Sequence, residues 1–189
     1  MRLKTRESFG LTEQEVAFVS VGELIPRKNH SEVIKVLASI VQERENLQLR
    51  PFHYYICGQG DLREELEQLI KKEKMENYIT LLGYQEDARI VLFGMDAFLF
   101  PSLQEGLPVA LMEAMACKLP CLVSNIRGNV DLIDKEKGGL LFNPNDIDEI
   151  ASKIMSIVKI TDKWGKYNEM KIKEFDIKNV QKIMRRKRC

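Results

Sequence analysis

Short apolar runs alternate along this chain with longer amphipathic stretches. Val16–Val21 (VAFVSV) is continuously apolar apart from one serine and predicts a buried strand. In His30–Glu45, Val33, Ile34, Leu37, Ile40 and Val41 share one face at helical spacing. His53–Cys57 predicts a second strand, closed by Gly58 and Gly60. Asp61 then offers an N-cap for a helix through Lys74, with Leu62, Leu66, Leu69 and Ile70 facing inward. Further strands are predicted at Tyr78–Gly83, Met95–Pro101, Pro120–Ser124 and Gly138–Phe142. Helices are predicted at Glu86–Phe93, Pro108–Lys118 and Asn145–Val158, with Pro108 at a first helical position where no N–H is missed. Apolar strands separated by helices predict a parallel sheet covered on both faces. The fold class is α/β, doubly wound and Rossmann-like, and its ligand belongs at the carboxyl ends of the strands.

Composition narrows the functions this fold could serve. The 189 residues fit one well-buried domain and look short for a two-domain enzyme. Lys plus Arg (29) nearly cancels Asp plus Glu (28), leaving +1, so electrostatic binding of nucleic acid has no whole-chain support. With 44% hydrophobic residues the chain is ordinary for a globular protein. No apolar run approaches the roughly 18–20 residues needed to span a bilayer, and the first fifteen residues lack the apolar core of a secretory signal. The four cysteines (Cys57, Cys117, Cys121, Cys189) form no CxxC pair, and His30 and His53 stand apart from them. That pattern predicts no metal site and reduced, mostly buried thiols in a cytoplasmic protein.

The strand-end loops carry the candidate chemistry. The first, GELIPRKNH, lacks both the GxGxxG and GxxxxGK[ST] fingerprints. Its Arg27 and Lys28 precede a helix start, which suits a phosphate site or simply a solvated basic turn. GQGD (Gly58–Asp61) allows a tight turn and also close ligand approach. In Ser102–Ala116, Glu105 lies in a loop before a helix that carries Glu113. A phosphate at that helix start, with the carboxylates accepting from hydroxyls, is one reading; simple compensation of the helix dipole is the other. Arg127 in NIRGN reads as a surface residue, and Trp164 reads as packing. The terminal Arg185, Arg186, Lys187 and Arg188 read as a solvated end or as a weak attraction to anionic lipid.

Taken together, SVGELxxxKNH (Ser20–His30), YYICGQGDL (Tyr54–Leu62), ITLLGY (Ile79–Tyr84), Phe100–Ile133 with its E-x7-E spacing, and GGLLFNPND (Gly138–Asp146) resemble a known family. The resemblance is to the C-terminal, nucleotide-sugar-binding half of glycosyltransferase family four, which has the GT-B fold. It is strongest for bacterial enzymes of capsular, exo- and lipopolysaccharide synthesis. It implies a retaining transfer from a nucleotide sugar, UDP-linked by expectation, with no metal or other cofactor. Lys28 matches the lysine that contacts the donor diphosphate. Glu105 matches the glutamate near the donor sugar and reaction centre, and Glu113 the one that hydrogen-bonds the ribose. Gly22 and the backbone of Gly106, Leu107 and Val109 match the segments facing the phosphates and sugar. Gln85 matches the position whose main chain reads the base.

Two departures from the family pattern stand out. Glu23 occupies the position where an arginine is common, and Arg27 is expected to supply part of the missing charge. Pro108 stands where many relatives have glycine, which removes one N–H donor from the helix start. The expected organisation is a lead-in or interdomain linker over 1–15, the nucleotide-sugar domain over 16–160 and C-terminal helices over 161–189 that pack toward an absent N-terminal domain. The acceptor, a surface glycan or lipid-linked sugar, would bind that absent domain, so the chain is expected to bind nucleotide without transferring sugar alone. Such an enzyme would work in the cytoplasm at the inner membrane face, with peripheral attachment. A nucleotide-sugar epimerase half and a non-enzymatic nucleotide- or phosphate-binding module are the alternative readings.

Overall fold

The computed structural model describes residues 2–43, 50–157 and 163–175. Cys189, the basic cluster Arg185–Arg188 and the stripe of Ile177, Val180, Ile183 and Met184 lie outside the described residues. Six parallel strands form one sheet: β1 (Val16–Val21), β2 (Phe52–Cys57), β3 (Ile79–Gly83), β4 (Ala97–Phe100), β5 (Cys121–Ser124) and β6 (Gly139–Phe142). Their spatial order is β3-β2-β1-β4-β5-β6. The chain therefore builds outward from β1 in one direction, then crosses over to β4 and builds outward in the other. The β1/β4 boundary is the topological switch point, where a crevice opens because successive helices go to opposite faces.

Alternation within each strand feeds two cores. Val16 and Phe18 of β1, Tyr54 and Ile56 of β2, Leu99 of β4 and Leu122 of β5 join one cluster. That face is covered by α2 (His30–Gln42), α3 (Arg63–Lys72) and α7 (Ile147–Ile157). Ala17, Val19, Tyr55, Cys57, Phe98, Phe100, Cys121 and Val123 point to the other face. There α4 (Ala88–Leu92) and α5 (Val109–Ala116) supply Val91, Leu92, Leu111, Ala114 and Met115. Burial on both sides is why the strands lack a polar alternation that sequence could read. Ser20 is a buried polar residue within β1, and its hydroxyl pairs with the Tyr54 hydroxyl at 2.6 Å and donates to the Leu99 carbonyl. A short α6 (Asn129–Leu132) has no counterpart in the sequence pattern, because four residues are too few to show a period. Trp164 packs against the first core, as its sequence setting suggests.

Two capping expectations need correction. Asp61 does not cap α3; the helix starts two residues later, with Leu62 at its N-cap and no side-chain cap bond. Leu62 N–H instead reaches the Leu24 carbonyl at 3.0 Å, which ties the turn to the β1 loop. Pro108 is the N-cap of α5, not its first helical residue, with ψ at 76° outside the helical range. The next amide, Val109, bonds back to Leu107 at 2.9 Å, so the chain turns before it coils.

Residues 2–8 form a helix, α1 (Arg2–Ser8), that docks on the start of the sheet. Arg6 is buried there and donates to the Gly94, Thr12 and Glu15 carbonyls and to Asp96 at 2.8 Å. Asp96 also accepts from Ala17 N–H at 2.8 Å and from Arg2 at 2.6 Å. At the same amino-terminal edge of the sheet, α8 (Lys163–Ile172) lies beside the starts of β5 and β6, where Asn168 donates to the Leu119 and Gly138 carbonyls at 2.7 Å each. Removing the Arg6 guanidinium strands three carbonyls and weakens the hold on Asp96. Arg6→Met should therefore cost about 3 kcal/mol of stability, read from urea unfolding midpoints, because buried charges lose heavily when one partner is deleted.

Candidate functional site

The carboxyl ends of β1 and β4 bring Lys28 and Glu105 together. A one-turn 3-10 helix, Pro26–Lys28, follows β1 and places Lys28 at the switch point. Asn29 then adopts a left-handed conformation (φ 57°), which reverses the chain into α2, and its side chain donates to the Pro144 carbonyl at 3.3 Å. Lys28 Nζ meets Glu105 Oε1 at 2.6 Å across 77 residues of sequence. Only 10% and 6% of the two side chains is exposed. The ammonium also lies 5.0 Å from the Phe100 ring centroid, whose π face favours a cation. Leu103 N–H donates to the Arg27 carbonyl at 2.8 Å, so the two loops are joined by backbone as well as charge.

Helix starts surround this pair. Neither α2 nor α5 has a side-chain cap bond at its N-terminus, whereas α4 is capped by Asp87 accepting from Arg89 N–H. Uncapped first-turn N–H groups are the usual donors to a phosphate. Gly106, Leu107 and Val109 form the exposed lip before and at the start of α5. Gly128 braces that lip from the next strand end: its φ is 92°, and a Cβ there would lie 2.9 Å from the Gly106 carbonyl oxygen. Glu113 sits one turn further along α5, partly buried, and its carboxylate makes no hydrogen bond or ion pair among the described residues.

A cavity of about 550 Å³ adjoins this region on the β2–β3 side. Its walls include Gly22, Glu23, Gln59, Asp61, Tyr84 and Gln85. Gly22 is the hinge between the two regions, since a Cβ there would stand 3.4 Å from Lys28 Cε. Gly58 permits the closest approach: its φ is 149°, and a Cβ would fall 1.8 Å from the Gly22 carbonyl oxygen. Gln85, whose side chain donates to the Leu82 carbonyl at 3.0 Å, is part of the cavity wall. The cavity wall carries two carboxylates and no cation.

Arg27 points elsewhere. It is half-exposed and pairs with Glu23 at 3.5 Å, so it offsets the carboxylate that stands where arginine is common. An ion pair this exposed contributes little to stability. Four residues around the site lie in the segments that carry the family resemblance but receive no role from the sequence. Phe100 is one of many core aromatics, Tyr84 is a 68% exposed ring at the cavity, and Gly128 reads as an ordinary turn glycine. His30 is the fourth: it is buried beside Lys28, with no hydrogen bond of ordinary geometry at either ring nitrogen, though the Glu23 backbone lies close enough to favour its charged form slightly. Burial first, and the Lys28 charge second, push its pKa down to about 4. His53 lies far from the pair, against Thr80 at 2.8 Å, and burial lowers it too.

No group of His, Cys, Asp and Glu among the described residues could hold a metal ion. Cys57, Cys117 and Cys121 are free, buried thiols, and burial raises each of them. No helix among the described residues is long and apolar enough to cross a membrane.

Comparison with known proteins gives this geometry a context. The family model described as glycosyl transferases group 1 matches residues 1–173. The chain is 36% identical over 154 residues to the UDP-Gal:alpha-D-GlcNAc-diphosphoundecaprenol alpha-1,3-galactosyltransferase of Escherichia coli, an alignment covering 81% of this chain and 38% of that protein. It is 32% identical over 163 residues to the amylovoran biosynthesis glycosyltransferase AmsK of Erwinia amylovora, covering 82% and 38% respectively. The structure of Anabaena Alr3699/HepE in complex with UDP superposes with a TM-score of 0.83 at 21% identity, over 98% of this chain and 52% of that one. That likeness is one of fold. The chain thus spans 38% of the length of these two curated relatives.

Neutral His30 links the site to acid stability. Its unfolded value is 6.5 and its folded value about 4, so the unfolded chain takes up the extra proton first. The stabilisation is complete above pH 6.5 and is lost as pH falls through the folded value; it amounts to about 3 kcal/mol. Urea unfolding at pH 7 and pH 4.5 should show a clearly smaller loss in His30→Leu than in the wild type. Identical losses would show that His30 is not neutral in the folded protein.

Proposed function

The chain belongs to the group 1 glycosyl transferases, and from that premise we propose that it is the donor-binding half of a retaining GT-B glycosyltransferase that takes a UDP-linked sugar. The observation that carries this reading is the meeting of Lys28 and Glu105 at the β1/β4 switch point, beside two uncapped helix starts. Charge decides how a nucleotide sugar would lie. The diphosphate goes to Lys28 and the first N–H groups of α5, because these are the electropositive groups of the crevice. The nucleoside goes to the cavity, where Gln85 meets the base and Tyr84 offers it an aromatic face. Glu113, unpartnered and a turn into α5, accepts from ribose hydroxyls. Glu105 faces the donor sugar.

In this arrangement Lys28 and the helix termini do the chemical work on the leaving group. As the glycosidic bond breaks, negative charge grows on the departing diphosphate. Groups already fixed around that oxygen stabilise the developing charge more than they stabilise the intact donor. The positive field comes from the protein, so the reading calls for no metal ion. We place acceptor recognition in the remainder of the longer enzyme, with a surface glycan or lipid-linked sugar as acceptor at the inner face of the membrane. The epimerase reading requires a histidine at the crevice. Of the two histidines, His30 is buried and neutral and His53 sits at the far end of its strand. A signalling-type module would place a phosphoacceptor aspartate after β4, where this chain has Glu105.

Calorimetric titration with UDP, GDP and ADP should show binding, with UDP preferred. Failure to bind any nucleotide would end the proposal. Glu113→Ala should weaken UDP by about ten- to a hundredfold, as expected for a charged hydrogen bond of roughly 1.5–3 kcal/mol, with little change in melting temperature. A collapsed melting temperature with unchanged affinity would make Glu113 a structural residue.

A further inference from the structure

The donor-free site is already neutralised. Lys28 has a carboxylate at 2.6 Å, and no more than 10% of either side chain meets solvent. A buried ion pair of this kind is expensive to separate, because each charge then lacks compensation. Yet the proposed function needs Lys28 to face a diphosphate and Glu105 to face a sugar. Keeping the pair intact would hold a carboxylate close to the incoming diphosphate, and that repulsion favours movement of one partner. Lys28 itself is fixed by its setting: it ends the one-turn helix that follows β1, and its ammonium lies over Phe100. Glu105 has more freedom. It lies in an irregular loop between β4 and α5, and Gly106, the residue after it, has open space around its Cβ position.

From this asymmetry we infer that Glu105 is the internal counter-ion of Lys28 in the empty site, and that a nucleoside diphosphate binds by displacing its carboxylate. This rests on the donor-site reading above and adds a second role for Glu105. The diphosphate takes over the charge compensation of Lys28. The released carboxylate swings with its loop toward the space where the donor sugar lies. Part of the intrinsic attraction between Lys28 and the diphosphate is therefore offset by separating the resident pair. The same coupling places Glu105 at the sugar only when a donor is present. Removing the charge of Glu105 should thus strengthen nucleotide binding while it abolishes a group needed for transfer.

The test is calorimetric titration of UDP into wild type, Glu105→Gln, and Glu105→Gln combined with Lys28→Met. Glu105→Gln should bind UDP roughly tenfold more tightly than wild type, a gain within the range of measured side-chain couplings. The double variant should lose that gain. Equal or weaker binding by Glu105→Gln, with wild type still binding UDP, would overturn the counter-ion role and leave the donor site standing. A gain that survives in the double variant would also overturn it, because Lys28 would not be the group released. Binding by none of the three would remove the donor-site reading and this inference together. If Glu105→Gln does not fold, Glu105→Asp serves instead: its shorter side chain cannot keep the 2.6 Å contact without backbone movement, so it should shift UDP affinity in the same direction by a smaller factor. No gain in that folded variant would count equally against the inference.

Discussion

A lysine ammonium at the centre of this fold is one-tenth exposed, and the structure of the crevice follows from that fact. Such a charge persists in a protein interior only with a close counter-charge and further polarisable contacts. Glu105 supplies the first and Phe100 the second. Each arrives from β4, whereas Lys28 arrives from β1, so the pair can form only if the two strands are neighbours. The strand order makes them neighbours at the one boundary where the sheet changes direction. Topology and electrostatics therefore specify the same place.

The loops around the pair are held by backbone contacts that side chains would prevent. Gly58 passes so near the Gly22 carbonyl that no Cβ fits between them. Leu24 N–H reaches Gln59 at 2.9 Å, and Gly22 N–H reaches Cys57 at 2.9 Å, which zips the β1 and β2 loops together. Gly128 plays the same part against Gly106. These contacts fix the walls of the cavity without using any polar side chain that a ligand could need. The site is held where glycine brings backbones together, including the Gly128 contact behind the Glu105–Leu107 lip, whose Gly106 and Leu107 are exposed.

The six strands and most of the helices were legible in the sequence, because apolar runs buried on two faces are distinct from amphipathic helices. Boundaries were less so. Asp61 has the chemistry of an N-cap, but the tertiary bond from Leu62 to Leu24 sets where α3 begins. Among the candidate residues, Lys28 and Glu105 could be named from sequence, yet nothing in a one-dimensional pattern joins two residues 77 positions apart. Arg6 was invisible for a related reason. Its partners are three carbonyls and one aspartate scattered over 90 positions, and its local sequence resembles any polar helix. Phe100 and His30 are recognisable only once the lysine beside them is placed.

The departure at Glu23 acquires a physical meaning in this setting. A carboxylate beside a diphosphate would repel it, but Glu23 lines the cavity with Asp61 and leans toward Arg27. Two carboxylates at the wall make the cavity inhospitable to phosphate and suitable for neutral groups that donate hydrogen bonds. Lys28 is close to Gly22 but is not part of the cavity wall. In the donor orientation proposed above, a nucleoside at the cavity and a diphosphate at Lys28 would meet different charge surroundings along the ligand's length. Reversed, it would place phosphates against carboxylates and leave Lys28 without a ligand anion. Under that proposal the charge pattern around Gly22 would act on orientation as well as on affinity. It achieves this in a chain whose net charge is only +1, because the relevant separation of charge is local.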